Sequence, residues 1–142
     1  MAAAQAQTAI KQAILARNAA LGAGDVAGVM ASGAAGFVSY SLAPPLKNSS
    51  GKAGLKAWFD TWDGPFDYEM RDLKIVAGDE GAFAHGLAHM TGRKTDGEQV
   101  DLWFRQSVGL KLLRGAWKIV HEHDSVPFYM DGGFRAAVDL KP

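Results

Sequence analysis

Apolar positions recur at helical spacing in the first part of the chain and at alternating spacing thereafter. Ile10, Ala13, Ile14, Arg17 and Leu21 fall on one stripe of a helix. The run LGAGD (21–25) supplies a glycine stop, and Asp25 is placed to cap a short second helix. Arg17 is charged yet lies on the stripe, so its stem is predicted to follow apolar surface while its guanidinium snorkels to water. SYSLAPPL (39–46) reads as a strand running into a rigid turn, with Tyr40 or Ser41 reaching inward according to register. Ser49 or Ser50 can cap a third helix in which Leu55, Trp58, Phe59 and Trp62 share a face, ended by Gly64-Pro65.

From Phe66 onward the spacing changes to that of strands. FDYEMRDLKIVA, AFAHGLAHMTGRK, QVDLWFRQSVGLKLL and AWKIVHEHDS are separated by GDEG, TDGE and RG, whose residues tolerate the positive φ of hairpin turns. Helices segregated from a meandering antiparallel sheet define an α+β layer, and strands this long are expected to curl around the helices.

Uninterrupted alternation on the last strand puts Trp117, Ile119, His121, His123 and Ser125 on one face, predicted to be inward. Glu122 and Asp124 then fall on the outer face, as solvent or dimer-interface charges. On the preceding strand Asp101, Trp103, Arg105 and Ser107 share one face, and Leu102, Phe104, Gln106 and Val108 the other. Both are apolar enough that alternation does not choose between them. With Trp103 inward, Arg105 comes beside the two histidines, and Phe83, His85, Leu87 and His89 complete the wall of an aromatic pocket with a few polar points, the usual form of a small-molecule site. Leu102, Phe104 and Val108 are then an outward apolar row suited to homodimerisation.

Composition narrows the chemistry. The 142 residues make one domain, 1–142, with 126–142 as a C-terminal tail. Cysteine is absent, which excludes thiol nucleophiles, disulfides and Cys-based zinc sites. Fifteen basic residues balance fifteen acidic ones without a block of either sign, so neither a nucleic acid nor a membrane surface is the expected partner. The start lacks the features of a secretory signal, and a cytoplasmic location is expected. Residues 26–46 are uncharged, but their glycines and the Pro44-Pro45 pair argue against a membrane-spanning helix.

The stretches WFDTWDGPFDYEMRDLKIVAGDEGAFAHGL and DLWFRQSVGLKLLRGAWKIVHEHDSVPF, above all the run WKIVHEHDSVP, resemble the SnoaL-like and ketosteroid-isomerase-like branch of the nuclear transport factor two superfamily over about residues 8–130. The resemblance implies a cone-shaped curved sheet wrapped around three N-terminal helices, commonly dimeric, with a pocket between them. It does not imply one reaction, because members include isomerases, cyclases, hydrolases and non-catalytic domains. The isomerase's catalytic residues are not matched: spacing puts Arg17, Ser41 and Gly109 at the positions of its tyrosine, its base and its protonated aspartate. The V-H-x-H-x-S pattern is also similar to the association domain of calcium/calmodulin-dependent kinase II and to metal-independent carbonic anhydrases.

Three roles stay open for His121 and His123: zinc ligands completed by His85 or His89, hydrogen-bonded structural groups, or a general acid/base pair titrating near neutrality. The expected protein is a homodimeric acid/base enzyme without metal or cofactor, acting on a small apolar molecule that bears a carbonyl or carboxylate. His121 or His123 would move the proton and Arg105 would clamp the anion. Tyr40, Trp58, Trp62, His85, Trp103 and Trp117 would contact substrate. The alternative is a binding or association module in which the histidines only organise the barrel.

Overall fold

A computed structural model describes residues 2–48 and 51–142. Helix α1 (Ala2–Ala23) is followed by α2 (Val26–Ser32), β1 (Gly33–Tyr40), α3 (Lys52–Phe59), and four long strands, β2 (Asp67–Ala77), β3 (Gly81–Arg93), β4 (Gln99–Leu113) and β5 (Ala116–Ser125). The predicted α+β architecture holds: helices precede a curved, open, five-stranded sheet of order β1-β5-β4-β3-β2. Its strands pair antiparallel except β1 with β5, which run parallel.

Local chemistry explains most boundaries. The Asp25 side chain accepts the Gly28 N–H at 3.0 Å and starts α2. Arg114 and Gly115, at φ 51° and 80°, make the tight turn between β4 and β5. Helix α3 ends at Phe59, earlier than the spacing predicted, because Trp62 leaves the helical face to bridge Lys94 beside the sheet. The predicted caps Ser49 and Ser50 lie outside the described residues. Strand β1 begins at Gly33, upstream of the stretch expected to form it, and pairing with β5 fixes Tyr40 opposite His123. Residues 126–142 fold back on themselves through a Phe128–Ala136 bridge.

Besides the irregular register of β1 between Gly33 and Val38, two bulges, in β2 and β5, decide which side chains face the helices. In β2 the chain advances three positions from Arg71 to Lys74 while β3 advances two from Leu87 to His85; the extra residue comes with Asp72 at φ 56° and turns Leu73 inward. In β5, the chain advances from Ile119 to His121 while β4 advances from Leu110 to Gly109, so Val120 is the extra residue. Alternation breaks there. Trp117 and Ile119 face α1, but so do Glu122 and Asp124, whereas His121, His123 and Ser125 turn to the other face.

The core lies in two apolar clusters with a polar layer between them. One holds Ile10, Ile14, Ala84, Val108, Leu110 and Ile119, and the other Trp62, Phe66, Ala88, Met90 and Phe104. On α1 the order is Ile14, then Arg17 and Asn18, then Leu21. On β4 it is Val108, Gln106, Phe104, and on β5 Ile119, then Glu122 and Asp124, with Val126 just past the strand's end. Leu102, Phe104 and Val108 all pack inside, so the apolar row expected to be a dimer interface is core instead.

Gly22 is a point of close approach between α1 and Phe66, the residue that leads into β2. Phe66 N–H donates to its carbonyl at 2.8 Å, and a Cβ at Gly22 would lie 2.4 Å from the Phe66 carbonyl oxygen. In a helix interior Gly→Ala ordinarily gains up to about 1 kcal/mol. Here a backbone atom is in the way, and overpacking of this kind costs about 1–3 kcal/mol. Gly22→Ala is therefore expected to lower the urea midpoint, and an unchanged or higher midpoint would show that α1 can shift freely on the sheet.

Candidate functional site

The polar layer is built around Arg17, which is 3% exposed rather than snorkelling as its sequence position suggested. Its Nη1 and Nη2 donate to the two carboxylate oxygens of Glu122 at 3.0 and 3.1 Å, a bidentate fork that joins α1 to β5. Nη2 also reaches Gln106 Oε1 at 3.4 Å, and Nε donates to Asn18 Oδ1 at 3.0 Å. Burial works against the charge on Arg17, but Glu122, Tyr68 and Asp124 outweigh it, and its pKa is raised. The Gln106 amide nitrogen lies 2.5 Å from Glu122 Oε1, 2.7 Å from the Tyr68 hydroxyl and 3.0 Å from Asp124 Oδ1.

Asp124 is the unusual member. Desolvation, and then the adjacent Glu122 carboxylate, push its pKa up to about 8, against the lesser pull of Gln106 and Arg17. Tyr68 is raised well above the ordinary tyrosine value, first by burial and then by Glu122 and Asp124. Near neutral pH the layer thus holds one guanidinium, the Glu122 carboxylate paired with it, and two neutral proton-bearing groups, the Asp124 carboxyl and the Tyr68 phenol.

The side chains singled out in the sequence lie elsewhere. His121, His123, Arg105 and Tyr40 do share a face, but it is the face of the sheet turned away from α1. Tyr40 makes edge contacts with His121 and His123 at centroid distances of 4.8 and 5.3 Å, and His121 Nδ1 lies 2.8 Å from the Val38 carbonyl oxygen. Arg105 is exposed, and its Nε donates to Ser125 Oγ at 3.1 Å instead of closing over a cavity with the histidines. His85 stands on the same outer row, opposite Ser107, which is itself opposite His123. Trp103 stacks on His89 at 4.1 Å, and His89 Nε2 lies 2.6 Å from Asp101 Oδ1. That contact, chiefly through its hydrogen bond, lowers the Asp101 pKa.

The remaining tryptophans are packing groups on the inner side. Trp58 and Trp62 cluster with Phe66 under Lys94, whose Nζ is 3.9 Å from the Trp62 ring, and Trp117 packs against the Ile10–Ile14 cluster. The expected pocket joining Arg105, both histidines, Trp103 and Trp117 is therefore not formed, because the Val120 bulge separates Trp117 from the histidines. Among the described residues no group of three or more His, Asp or Glu side chains is placed to share a metal ion, and no helix is long and apolar enough to cross a membrane.

Arg17, Asn18, Tyr68, Gln106, Glu122 and Asp124 were not proposed as site residues from the sequence. The usable signal was a coincidence of oddities. A cation interrupts the apolar stripe of α1, and Gln106 sits between Phe104 and Val108 on an otherwise apolar face of β4.

Helices capped against a curled sheet, with a polar layer enclosed between them, define the NTF2-like fold, and similar solved structures share it. An NTF2-like protein of unknown function from Pseudomonas putida is 29% identical, with a TM-score of 0.85 and 98% of each chain covered. A candidate dehydratase of the NTF2-like family from Streptomyces avermitilis is 11% identical, with a TM-score of 0.74 over 87% of this chain and 97% of that one. The association domain of CaMKII from C. elegans is 17% identical, with a TM-score of 0.68 over 87% and 98%. The chain belongs to the SnoaL-like domain family, whose family model matches residues 10–129. No curated protein sequence matches it.

Two outcomes are expected for the polar layer. Removing one partner of a buried ion pair leaves an uncompensated charge and costs about 3–5 kcal/mol, whereas replacing both by apolar groups is often neutral. Arg17→Met alone should therefore be strongly destabilising, and Arg17→Met with Glu122→Leu should recover most of the loss in urea unfolding. The second outcome concerns pH. The folded-state pKa of Asp124, about 8, lies above the ordinary 3.8, so the native state holds a proton that the unfolded chain releases. The stability this contributes is complete below about pH 4 and is lost as pH rises through about 8. Asp124→Asn cannot ionise, and its stability relative to the parent should climb steadily over that window; equal slopes would show that Asp124 titrates normally.

Proposed function

We propose that the chain is an acid/base enzyme acting on a small carbonyl-bearing molecule, with the reactive groups in the polar layer rather than on the histidine face. One observation carries this reading: the Tyr68 hydroxyl and the Asp124 carboxyl both meet the Gln106 amide, at 2.7 and 3.0 Å, beside the Arg17–Glu122 pair and between two apolar clusters, where burial raises the pKa of both groups. A carboxylic acid kept protonated near neutrality can donate to an oxygen as negative charge develops on it, and does so best where water is excluded. Tyr68 supplies a second neutral donor. Gln106 holds both groups, and the Arg17–Glu122 pair fixes Gln106. Isomerisation, cyclisation and dehydration all use such an acid at a carbonyl or hydroxyl oxygen. Similar structures named for a candidate dehydratase and a candidate ketosteroid isomerase are consistent with that chemistry.

The test is turnover of a panel of ketones, enones and lactones between about pH 5 and 9. Activity is expected to fall above about pH 8, and Asp124→Asn should reduce kcat by about 100-fold or more, the usual contribution of a positioned acid. His123→Ala, on the outer face, should keep its rate. A rate lost in His123→Ala or Arg105→Ala but kept in Asp124→Asn would return the chemistry to the outer face. Binding without turnover would make the protein a carrier.

A second reading, self-association through the outer face of the sheet, is favoured by Val76 and Phe83. They are paired across β2 and β3 yet 52% and 54% exposed, and Phe83 stands in register with His121 across the side-chain-free Gly109 of β4. If two copies pack there, Phe83→Glu should convert a dimer to a monomer in sedimentation. A parent chain that is already monomeric at micromolar concentration would dismiss this reading.

A further inference from the structure

Strand register on the outer face of the sheet places Lys74, His85, Ser107 and His123 in one cross-strand row, and Arg71 and Arg105 in the next. Side chains opposite one another on one face of a sheet are close enough to share a ligand. His85, Arg105, Ser107 and His123 are all exposed. Arg105 uses its Nε on Ser125, but its Nη1 and Nη2 meet no acceptor among the described residues, and Ser107 Oγ and the ring nitrogens of His85 and His123 have no hydrogen-bond partner there either. No carboxylate is paired into the two rows. Asp72 lies in the bulge of the β2 edge strand, Glu69 stands level with Trp103, and Asp101 lies beyond it, held by His89 and Lys141. Arg71, Lys74 and Arg105 consequently form no ion pair among the described residues, although the charges of the chain sum to zero. The row on the other side opens a space. Gly109 stands between Phe83 and His121 without a side chain, so these two rings, two strand spacings or roughly 9–10 Å apart at their backbones, wall a notch. Tyr40 packs edge-on against His121 and His123 and steadies that wall.

We propose that this face binds a small phosphomonoester with a planar apolar body, its phosphate over Ser107 among His85, His123 and the Arg105 guanidinium, and its body in the Gly109 notch. The site is separate from the polar layer and does not rest on the acid/base reading. Charge and geometry favour a phosphate over a carboxylate. A phosphomonoester carries about −1.5 to −2 charges near neutrality and has three terminal oxygens. The donors come from three neighbouring strands: His85 on β3, Arg105 and Ser107 on β4, and His123 on β5. A carboxylate has one charge and two oxygens in a plane, and would leave one strand's donors unused. The free Nη1 and Nη2 of Arg105 form a fork that fits two phosphate oxygens at once. Inorganic phosphate would satisfy the donors but leave the notch empty, whereas a ring between Phe83 and His121 gains aromatic contact on both sides.

The experiment uses the full chain with isotope-labelled histidine rings, titrated with millimolar phenyl phosphate, inorganic phosphate, benzoate and benzyl alcohol. Phenyl phosphate should shift the ring signals of His85, His121 and His123 and leave His89, which is tied to Asp101 outside the site. Inorganic phosphate should shift His85 and His123 with about 10-fold lower affinity, the value of the lost ring contacts, and benzyl alcohol should shift none of them. Benzoate should bind more weakly than phenyl phosphate. Arg105→Gln should weaken phenyl phosphate about 10-fold or more, and Arg105→Lys, which keeps the charge without the fork, should restore only part of the loss. Gly109→Val fills the notch and should bring phenyl phosphate down to the affinity of inorganic phosphate; a Cβ there meets His121 and Val120 at 3.6 Å or beyond, so the strand accepts it. Unmoved His85 and His123 signals, benzoate bound as tightly as phenyl phosphate, or undiminished affinity in Arg105→Gln or Gly109→Val overturns the assignment. A chain that sediments as a dimer and whose His85 and His123 signals ignore the probe would give this face to a second copy instead.

Discussion

The fork between Arg17 and Glu122 is the constraint on which the rest of the molecule depends. It joins residues 105 positions apart, in the C-terminal half of the first helix and on the last strand, inside a core that otherwise excludes charge. A guanidinium cannot shed its proton to escape burial, so the fold has to supply a carboxylate in matching geometry and acceptors for the remaining N–H groups. Glu122, Gln106 and Asn18 meet that demand. Apolar clusters above and below keep water away from the pair, and the register of α1 on the sheet is set by where the fork closes.

Bringing Glu122 to the inner face required β5 to break its own alternation. A regular strand that buries Ile119 would also bury His121 and His123 and would send Glu122 outward. The extra residue at Val120 lets Ile119 serve one apolar cluster and Glu122 the polar layer within a single strand. The histidines move to the outer face as a consequence, where Tyr40 from the parallel edge strand packs against them. One inserted residue thus decides which of two clusters of titratable groups is enclosed.

This also explains how much was legible in the sequence. The ends of β4 and β5 follow from hairpin chemistry and hydrophobic spacing, and the start of α2 from the Asp25 cap; all are local properties. The family resemblance carried the wrapping of sheet around helices. The site was not legible because it hangs on the bulge, and nothing in WKIVHEHDS marks Val120 as the residue without a partner. Arg17 was visible as an exception on an apolar stripe, but its partner could not be read from α1 alone. Snorkelling was the better prior for a lone cation and the wrong one for a cation facing Glu122.

The charge count inside the layer connects stability to chemistry. One guanidinium balances one carboxylate, and the bidentate geometry assigns it to Glu122. A second carboxylate in the same enclosure has no cation left to offset its desolvation, so Asp124 holds its proton, and Tyr68 is held neutral by the same surplus of negative potential. Adding a second cation would tie α1 down more firmly but would ionise Asp124 and remove the acid. The arrangement that leaves Asp124 short of a partner is therefore the one that keeps a proton available at neutral pH, and its instability at alkaline pH and its capacity to donate are two consequences of one imbalance.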